Sequence, residues 1–556
     1  MHSIRRFDQD IDTCLAFVNC LSVKVNVISL RMSYLSIVWI YFLVLSIEAV
    51  SGGNVLVLMG VPSPSHFIWV RPIVNELAAK GHNVTVFSVN VDPDPPTNVT
   101  YIHLENTYNI LYGNINVSND IIKRSMDNPF EAVMSAYKFG TLACIGCTTS
   151  QGFKSLLNYP DNFRFDVIIY DCTAGPCILG FLHKFHYPPL ISVSAFGIPQ
   201  FSHLIVGGYK PSSHVPHFSL TYDCRMSFTE RTINFLVQNF DSFYRRWVFL
   251  RRIRAISESA FGFNLPNIEN LERRSQLMLV NSNPLLDHAE VLPQNVIPVG
   301  GLQITEPKVL PENIQQFINS SKKGAVLFAM GTNFKSKMLN PERQAMFIQV
   351  FAQFPDYLFL WKFDEDNIAI PVPPNVMISK WLPQSDILAH PRVKAFITHC
   401  GLLGTFEAAY YGVPVVSIPV YIDQHKNAAK LIRNGVGIAL KLSDLTVETV
   451  KETLREVLGN STFRTNARKL SDLLRDQPEK PLDRAIWWIE WVLRHPHEYH
   501  SRSPTIDMNV ISENNADVFI CLIFIIAAIL YIMCQLLKCL KAVKKSVVSV
   551  ESKKVR

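Results

Sequence analysis

The amino-acid sequence predicts an α/β protein with two doubly wound parallel-sheet domains and one membrane-spanning helix near the C-terminus. Short apolar runs alternate with helical segments in two blocks, separated by the proline-containing stretch 291–314. A second apolar feature, Val518–Leu537, has about the 20 residues that a bilayer requires. With 556 residues, the chain is also too long for a single hydrophobic core.

The N-terminal region resembles a secretory signal peptide. From Met32 the sequence reads MSYLSIVWIYFLVLSIEAVSG, an apolar stretch from Tyr34 to Ile47 followed by small residues at Ala49–Gly52. The 31 residues before Met32 fit no signal peptide, so either Met32 is the initiator or the leader is unusually long. We assign residues 1–51 to the leader and signal peptide.

The C-terminal end predicts membrane topology. Residues 518–537 form the predicted transmembrane helix, and the tail 538–556 holds seven Lys or Arg residues against the single Glu551. Six of the +7 formal charges therefore lie in the tail, and the positive-inside rule makes it cytoplasmic. The last four residues, Lys-Lys-Val-Arg, resemble a dilysine retrieval signal. These features predict a single-pass type I protein of the endoplasmic reticulum membrane with its body in the lumen.

Composition and sequons agree with this topology. Hydrophobic residues make up 48% of the chain and charged residues 18%, and the nearly neutral body lacks the basic surface of a nucleic-acid binder. Lumenal glycosylation sequons begin at Asn98, Asn116, Asn319 and Asn460. A fifth, at Asn83, lies in an apparent strand and is expected to be too buried. Cys144 and Cys147 have metal-like spacing, but we interpret them as a helical packing pair or a lumenal disulfide.

The first block, residues 52–302, begins with a βαβ pattern. NVLVLMG reads as a buried strand, Pro62–Phe67 as a loop, WVRPIVNELAAKGHN as a helix closed by Gly81, and VTVFSV as the next strand. FDVIIYD, which ends at Asp171, and PPLISVSA are further strands. The block therefore predicts a parallel sheet.

The second block, residues 303–500, follows a linker near Gly300–Pro311. Its predicted strands are GAVLFAMGT, YLFLWKF, VMISKWL, VKAFITH and VPVVSIPV. Ligands of doubly wound sheets bind at the carboxyl ends of the strands. The residues at such ends are Asp171, Thr332, His399 and Asp423.

The stretch FITHCGLLGTFEAAYYGVPVVSIPVYIDQ, Phe396–Gln424, predicts an anion site. If a helix starts just after His399, its free N–H groups point into the crevice, and Gly401 and Gly404 let an anion approach the backbone. No Gly-X-Gly-X-X-Gly follows the first strand, which argues against a nicotinamide-dependent oxidoreductase.

Neighbouring residues suggest a base, a ribose and a sugar on either side of that anion. Glu407 lies one turn deeper, where its carboxylate can accept two hydrogen bonds from a vicinal diol. Upstream, Trp381 offers a flat stacking surface and Gln384 an amide. Asp423 and Gln424, at the next strand end, suit sugar hydroxyls.

These residues resemble the signature of the UDP-glycosyltransferase superfamily. His399, Gly401, Glu407, Pro414, Pro419, Asp423 and Gln424 all stand at the family spacing. KWLPQSDILAHP, PLDRAIWWIEWVLRHP and the span with its basic tail are similar to the membrane-bound UDP-glucuronosyltransferase branch, in its invertebrate, nematode-like form. The resemblance covers Asn54 to Arg556 and is weakest between about Thr100 and Pro160.

The resemblance implies a GT-B fold, in which two Rossmann-like domains face each other. The C-terminal domain would hold the UDP-sugar and the N-terminal domain the acceptor. By residue, the implied donor contacts are uracil stacking on Trp381, base or ribose at Gln384, diphosphate at His399 and the amides near Gly404, ribose diol at Glu407, sugar at Asp423 and Gln424, and phosphate at Gly331-Thr332.

The resemblance also implies a catalytic pair, with His66 as general base and Asp171 as its orienting carboxylate. A neutral imidazole can take the proton of an acceptor hydroxyl as that oxygen attacks the anomeric carbon, and the carboxylate stabilises the imidazolium. One displacement inverts an α-linked donor to a β-glycoside. No metal or other cofactor is expected, since helix N-termini and His399 can stabilise the departing UDP.

Two departures from the family pattern bear on the donor. Leu402-Leu403-Gly404 replaces the Trp-Asn-Ser of plant relatives, which leaves phosphate binding to backbone amides. Where vertebrate relatives often carry an arginine thought to meet glucuronate, an ungapped count places Asn281. This substitution favours UDP-glucose over UDP-glucuronate.

We therefore predict a membrane-anchored, inverting UDP-sugar transferase that acts on small lipophilic acceptors. The alternative is a catalytically silent UDP-sugar binder or partner subunit of the same fold. The acceptor pocket is expected around Thr100–Asn162 and Ile198–Phe261, whose apolar, aromatic-rich composition indicates an apolar acceptor. A homo- or hetero-oligomer is compatible with the sequence.

Overall fold

The protein is seen in a computed structural model that describes residues 52–113, 128–208, 210–287, 290–332, 339–364, 370–420, 422–496, 498 and 502–554. Its core consists of two separate parallel sheets. The strands of the first sheet are β1 Asn54–Met59, β2 Asn83–Ser88, β3 Val99–His103, β4 Val167–Asp171, β5 Leu190–Ser194, β6 Ser275–Val280 and β7 Val296–Pro298. Their spatial order is β3-β2-β1-β4-β5-β6-β7.

The second sheet repeats the same winding. Its strands are β8 Gly324–Ala329, β9 Tyr357–Lys362, β10 Val376–Ser379, β11 Val393–Thr398, β12 Val415–Ser417 and β13 Gly437–Ala439. Their order is β10-β9-β8-β11-β12-β13. In both sheets the strand order reverses beside the first strand, and the crevice at such a switch point is where doubly wound sheets bind ligands.

Helices cover both faces of each sheet. Those of the first domain are α1 Pro64–Ala79, α2 Thr107–Tyr112, α3 Pro129–Thr149, α4 Gln151–Leu157, α5 Gly180–Lys184, α6 Ser202–Val206, α7 Phe228–Tyr244, α8 Leu250–Phe261 and α9 Ile268–Glu272. A π-helical segment, Arg245–Phe249, joins α7 to α8. The later helices are α10 Glu312–Asn319, α11 Pro341–Ala352, α12 Gln384–Ala389, α13 Leu402–Tyr410, α14 Gln424–Arg433, α15 Val447–Gly459, α16 Ser461–Arg475, α17 Pro481–Arg494, α18 Val510–Glu513 and α19 Ala516–Lys554.

The central strands are buried on both faces, which explains their continuous apolar runs. Successive side chains of β1 pack into two different clusters: Val55 and Val57 against α1, and Leu56 and Leu58 on the opposite face. Helices on both faces are the usual cover of a parallel sheet. The α/β prediction, with two parallel sheets, is therefore confirmed.

Several elements differ from the sequence prediction. The first helix begins at Pro64 and not after Phe67, so His66 lies in its first turn and not in a loop. The pattern missed β3, β6 and β7 in the first sheet and β13 in the second. The short β7 and β13, three residues each, are too brief to show a period of two.

The last helix of the body returns to the first domain. Ile486, Ile489 and Val492 of α17 are buried in the cluster that also contains Trp69 and Ile73 of α1. Trp488 and Trp491 pack against the same cluster, while Trp487 is exposed. The tryptophan-rich segment thus joins the two domains by packing.

One disulfide links α3 to the segment after β4. Cys144 is bonded to Cys177 across a sequence separation of 33 residues, while Cys147 is a buried free thiol. A disulfide between Cys144 and Cys147 was therefore the wrong pairing, because the partner of Cys144 is Cys177. Asn83 starts β2 as expected, but it is exposed and not buried. Asn116 lies outside the described residues.

Within the described residues, one helix is long and apolar enough to cross a membrane. It comprises Ala516–Lys544 at the start of α19, and none of its most apolar stretch is buried against the body. It includes the whole predicted span 518–537. The leader, residues 1–51, lies outside the described residues.

Candidate active site

The switch point of the first sheet brings together a histidine and an aspartate. His66 follows β1 in the first turn of α1, and Asp171 is the last residue of the neighbouring strand β4. Nδ1 of His66 lies 2.7 Å from Oδ2 of Asp171, and both side chains are buried. Because β1 and β4 are adjacent parallel strands, residues 105 positions apart in sequence become hydrogen-bonded.

Thr173 adds a third member that the sequence analysis missed. Its hydroxyl donates to Oδ1 of Asp171 at 2.5 Å and lies 3.2 Å from Nδ1 of His66. The backbone N–H of Thr173 donates to the same Asp171 oxygen at 3.1 Å. Asp171 is thus fixed through both oxygens, one towards His66 and the other towards Thr173. In the sequence, the only sign of this role was that Thr173 follows Asp171 by two residues.

The other ring nitrogen of His66 faces no hydrogen-bonding group in the part of the chain that the structure describes. Nε2 is buried and makes no hydrogen bond within the described residues. Phe196 packs edge-on against the ring with centroids 4.6 Å apart. With Nδ1 engaged by Asp171, the neutral tautomer leaves Nε2 as the acceptor.

The disulfide braces the loop that follows Asp171. A Cβ on Gly175 would lie 2.3 Å from Sγ of Cys144, and one on Gly140 would lie 3.0 Å from the carbonyl oxygen of Ala174. Helix α3 and residues 173–177 are therefore packed at a separation that admits no side chain. This packing holds Thr173 against Asp171.

The switch point of the second sheet holds His399 between two glycines. A Cβ on Gly331, which has φ +81°, would lie 2.4 Å from Cε1 of the His399 ring. A Cβ on Gly401 would lie 2.6 Å from Nε2 of the same ring. Both glycines are therefore required for the position of His399, and Thr332, beside Gly331, lies partly buried at the same edge.

Helix α13 begins where the sequence predicted. Gly401 is its N-cap and Leu402 its first residue, and Gly404 lies within its first turn. The preceding Cys400 has φ +61°, a left-handed conformation that is uncommon for a residue with a side chain. The free N–H groups of the first turn of α13 therefore lie just after the carboxyl end of β11.

Lys362 is a second residue that the sequence analysis missed. Its Nζ donates to the carbonyl of Gly331 at 3.0 Å and to Asp364 at 2.9 Å. Burial, followed by the positive charge of Lys362, lowers the pKa of His399 to about 4. His399 is therefore neutral at pH 7, and the local cation is Lys362.

Glu407 and Gln384 form a direct pair. Nε2 of Gln384, the first residue of α12, donates to Oε2 of Glu407 at 2.6 Å. Burial raises the pKa of Glu407 to about 7, although the Gln384 hydrogen bond opposes the increase. A Cβ on Gly404 would lie 3.3 Å from Gln384 Nε2, so the small residue makes room for this pair.

Trp381 is exposed, with 64% of its surface accessible, just before α12. Its backbone carbonyl accepts a hydrogen bond from Ser379 at 2.8 Å, which fixes the turn that carries it. A large apolar side chain this open in an ordered turn is available for stacking. Trp381 thus lies three residues before Gln384, at the N-terminal end of α12, and its side chain is outside the core.

Asp423 and Gln424 lie at the start of α14. Asn427 donates to Asp423 Oδ2 at 2.7 Å and to the carbonyl of Cys400 at 3.1 Å, which ties α14 to the His399 loop. Oε1 of Gln424 accepts from the Val420 N–H at 2.8 Å. Burial raises the pKa of Asp423. A Cβ on Gly197, shortly after β5, would lie 3.9 Å from Leu402 at the start of α13, so the carboxyl ends of the two sheets face each other.

Asn281 follows β6, and its side chain is engaged within the protein. It is fully buried, its Nδ2 donates to the Ala195 carbonyl at 3.1 Å, and its Oδ1 accepts from the Gly301 N–H at 3.1 Å. Both side-chain atoms are thus used to join β5 and β6 to the interdomain segment. The use of Asn281 as an indicator of the donor sugar stays a prediction.

A cavity of about 200 Å³ lies in the first domain, lined by residues of α3, the end of α7, the π-helical segment and the start of α8. It has an aromatic wall of Tyr137, Tyr244 and Phe249. A Cβ added to Gly140 would lie 3.2 Å from the Phe249 ring and 3.0 Å from the Ala174 carbonyl oxygen, so both groups pack closely on this glycine. Within the described ranges, no three His, Cys, Asp or Glu side chains are grouped closely enough to hold a metal ion.

Comparisons with known proteins agree with one another. A family model described as "UDP-glucoronosyl and UDP-glucosyl transferase" matches residues 53–554. The chain is 32% identical over 504 residues to UDP-glycosyltransferase UGT5 of Dactylopius coccus, covering 89% of this chain and 94% of that protein. It is 29% identical over 501 residues to UDP-glucuronosyltransferase 2B7 of Homo sapiens, covering 87% and 92%.

Solved structures share the fold at low sequence identity. The glycotransferase of kitacinnamycin has a TM-score of 0.55 and 18% identity, with 80% of this chain and all of that chain covered. The calicheamicin glycosyltransferase CalG4 has a TM-score of 0.54 and 16% identity, with 81% and 100% covered. The predicted fold of two facing Rossmann-like domains is thereby confirmed.

Proposed function

We propose that this chain, which belongs to the family of UDP-glucuronosyl and UDP-glucosyl transferases and is a glycosyltransferase, moves glucuronate or glucose from the UDP-sugar to a hydroxyl of small lipophilic acceptors. In this proposal His66 is the general base. The observation that carries the proposal is the buried hydrogen bond of 2.7 Å between His66 and Asp171. A histidine whose Nδ1 is held by a carboxylate and whose Nε2 is free is arranged to accept a proton.

The proposed reaction is a single displacement. The acceptor oxygen forms a bond to the anomeric carbon, the bond from that carbon to the UDP oxygen breaks, and UDP leaves with the electron pair. His66 Nε2 takes the hydroxyl proton, and Asp171 stabilises the resulting imidazolium. The amides of the first turn of α13, together with Lys362, would stabilise the negative charge on the leaving diphosphate.

The proposed donor contacts are those of the second domain that the family resemblance implies. Trp381 stacks on uracil, Gln384 and Glu407 hold the ribose, and neutral His399 with Gly331-Thr332 and the amides near Gly401 and Gly404 hold the diphosphate. Asp423 and Gln424 face the sugar. No metal or other cofactor enters the proposal.

The cavity beside α3 supports a lipophilic acceptor. Its wall of three aromatic rings favours a flat, apolar body, while Lys138 and Arg252 at its lining favour a polar or anionic group at one end. Phe249, on the cavity wall, and the carbonyl of Ala174, next to Thr173, both pack on Gly140.

We also place the catalytic body in the lumen of the endoplasmic reticulum. Support comes from the apolar helix Ala516–Lys544 with the basic tail after it, and from the Cys144–Cys177 disulfide, which is typical of oxidising compartments.

The test is transfer to a panel of phenols by microsomes that contain the full chain, with UDP-glucose or UDP-glucuronate as donor. We expect a β-glycoside from at least one donor, its loss in His66→Ala, and no loss in His103→Ala, which changes an exposed histidine of the same domain. UDP binding without product from either donor would instead support a silent binder.

A further inference from the structure

Helix α7 exposes several large apolar side chains. On the side that faces the protein, Asn234, Gln238 and Asp241 are buried beside Val237, and Ile233, Phe240 and Tyr244 pack against the same core. On the side that faces outwards, Phe228 is 76% exposed and Phe243 59% exposed, with Phe235 and Leu236 between them among polar residues. A helix at the surface of a water-soluble domain normally presents polar and charged residues there.

The buried polar side chains fix this orientation. Asn234 donates to the carbonyls of Ser212 and Val215, and Asp241 accepts a hydrogen bond of 2.6 Å from the Tyr137 hydroxyl. One turn on, Arg245 donates to both oxygens of Glu272 at 2.7 Å. Rotation of the helix to bury its exposed phenylalanines would leave these groups unpaired, which is unfavourable.

The π-helical segment extends the apolar side. Trp247 and Val248 are exposed directly after Phe243, and the guanidinium of Arg251 lies 4.9 Å from the centre of the Trp247 ring. We call Phe228, Phe235, Leu236, Phe243, Trp247 and Val248 the outer face. Six large exposed apolar side chains on one stretch of 21 residues, next to arginines, usually contact another phase or molecule.

The membrane helix starts close to the outer face. After α17, the chain runs back along the first domain, where Arg502 donates to the Arg273 carbonyl at 2.9 Å and Thr505 accepts from the Gly208 N–H at 2.8 Å. Arg273 donates to Glu269 at 2.8 Å, and Arg246 donates to the other oxygen of the same carboxylate at 3.0 Å. Arg246 precedes Trp247 in the π-helical segment.

We propose that the outer face lies in the lumenal interface of the bilayer that α19 enters. Phenylalanine and leucine would be buried at the boundary of the acyl chains, Trp247 would lie at the headgroup level, and the exposed Arg251 and Arg252 would contact lipid phosphates. The inference rests on the membrane anchoring proposed above and is independent of the catalytic residues.

A bilayer fits this face better than a partner protein because the position is set by the anchor. The span and the outer face belong to neighbouring parts of one body, so both reach the same membrane surface. Val248 lies in the outer face and also lines the cavity between α3 and the π-helical segment. A lipophilic acceptor dissolved in the bilayer would therefore reach the cavity without first crossing bulk water.

The test is lipid photolabelling of the full chain in vesicles of phosphatidylcholine and phosphatidylserine, with a diazirine on the acyl chain of the lipid. After irradiation, peptide mapping by mass spectrometry locates the lipid adducts. We expect adducts on 228–248 and on 516–544, and none at Val309, which is 96% exposed in the second domain.

Variants separate insertion from folding. Phe243→Glu with Trp247→Glu should remove the adducts from 228–248, leave those on the span, and leave the melting temperature unchanged, since both side chains are exposed. Leu473→Glu, an exposed leucine of α16, should change neither pattern. Adducts on the span alone would overturn the inference. A second copy of the chain that covers the outer face would give this same result. Adducts on neither region would overturn the anchoring as well, while transfer measured in the same vesicles tests the catalytic proposal separately.

Discussion

Nδ1 of His66 and Oδ2 of Asp171 lie 2.7 Å apart in the buried switch point of the first sheet. The carboxylate both orients the imidazole and stabilises its protonated form. In Asp171→Asn the amide would favour the wrong tautomer, and we expect kcat to fall by about 10⁴-fold, as in comparable triads, with little change in the KM for the donor.

Steady-state kinetics with a phenol acceptor check this prediction. The matched control is Asp166→Asn, an exposed residue just before the same strand whose oxygen accepts from the Asn54 N–H. Near-normal turnover in Asp171→Asn would mean that His66 is not the base.

Thr173 should act through Asp171. Thr173→Val removes the hydroxyl that donates to Oδ1 at 2.5 Å, and Thr173→Ser keeps it. A lost hydrogen bond to a charged group corresponds to about 1.5–3 kcal/mol, which predicts a decrease in kcat of roughly ten- to a hundredfold in the valine variant. The pH profile of kcat should move as well, since the carboxylate is less well fixed. Equal activity of the valine and serine variants would contradict this role.

Glu407 should make donor binding depend on pH. Its pKa is raised to about 7, so it takes up a proton as the pH falls below 7. A ribose diol donates hydrogen bonds to the ionised form, and the Kd for UDP is therefore expected to increase from pH 7.5 to pH 5.5. Calorimetric titration with UDP measures this. In Glu407→Gln the affinity should be lower at pH 7.5 and its pH dependence largely lost; an unchanged slope would exclude Glu407 as its source.

The same carboxyl affects the stability of the unliganded protein. Because the pKa of Glu407 is higher in the folded than in the unfolded state, its contribution to stability is fully present at pH values below the pKa of the unfolded chain. This contribution is lost as the pH rises through about 7. The full shift corresponds to about 3 kcal/mol. We expect the melting temperature of the wild type to decrease between pH 5 and pH 7.5 relative to that of Glu407→Gln, which thermal unfolding with both proteins side by side can measure.

Trp381 should contribute to donor affinity and not to stability. Its side chain is 64% exposed, so Trp381→Ala removes few packing contacts. Stacking on a base is typically worth about 1–3 kcal/mol, which predicts a donor KM increased by roughly five- to 150-fold. Trp381→Phe should retain most of the affinity. Trp487→Ala, another exposed tryptophan, serves as the control; an equal effect there would argue against stacking.

The Cys144–Cys177 disulfide should stabilise the first domain. Closing a loop of 33 residues corresponds to about 4 kcal/mol in the chain-entropy treatment. Cys177→Ala is expected to lower the melting temperature and, because Thr173 lies on the same loop, to lower kcat. Cys147→Ala, on the same helix, should leave the bridge intact in non-reducing peptide maps. A bridge through Cys147 in those maps would contradict the pairing.

The sequence predicted the frame of the second domain well because its signals are local. Buried parallel strands read as continuous apolar runs, and the start of α13 after His399 follows from the glycines around it. The same locality explains the misses. Strands of three residues such as β7 and β13 carry no period, and α1 starts at Pro64 because proline is favoured in a first helical turn.

What the sequence by itself determined is the class of fold, the family signature from Phe396 to Gln424 and the apolar helix near the C-terminus. Only the tertiary structure decided which distant residues meet: Thr173 with Asp171, Lys362 with Gly331, and Cys144 with Cys177. It also decided that Asn281 is internal and that several phenylalanines of α7 face outwards. The physical reason is that periodicity and spacing record local geometry, whereas strand order and domain packing set the contacts between residues far apart in the chain.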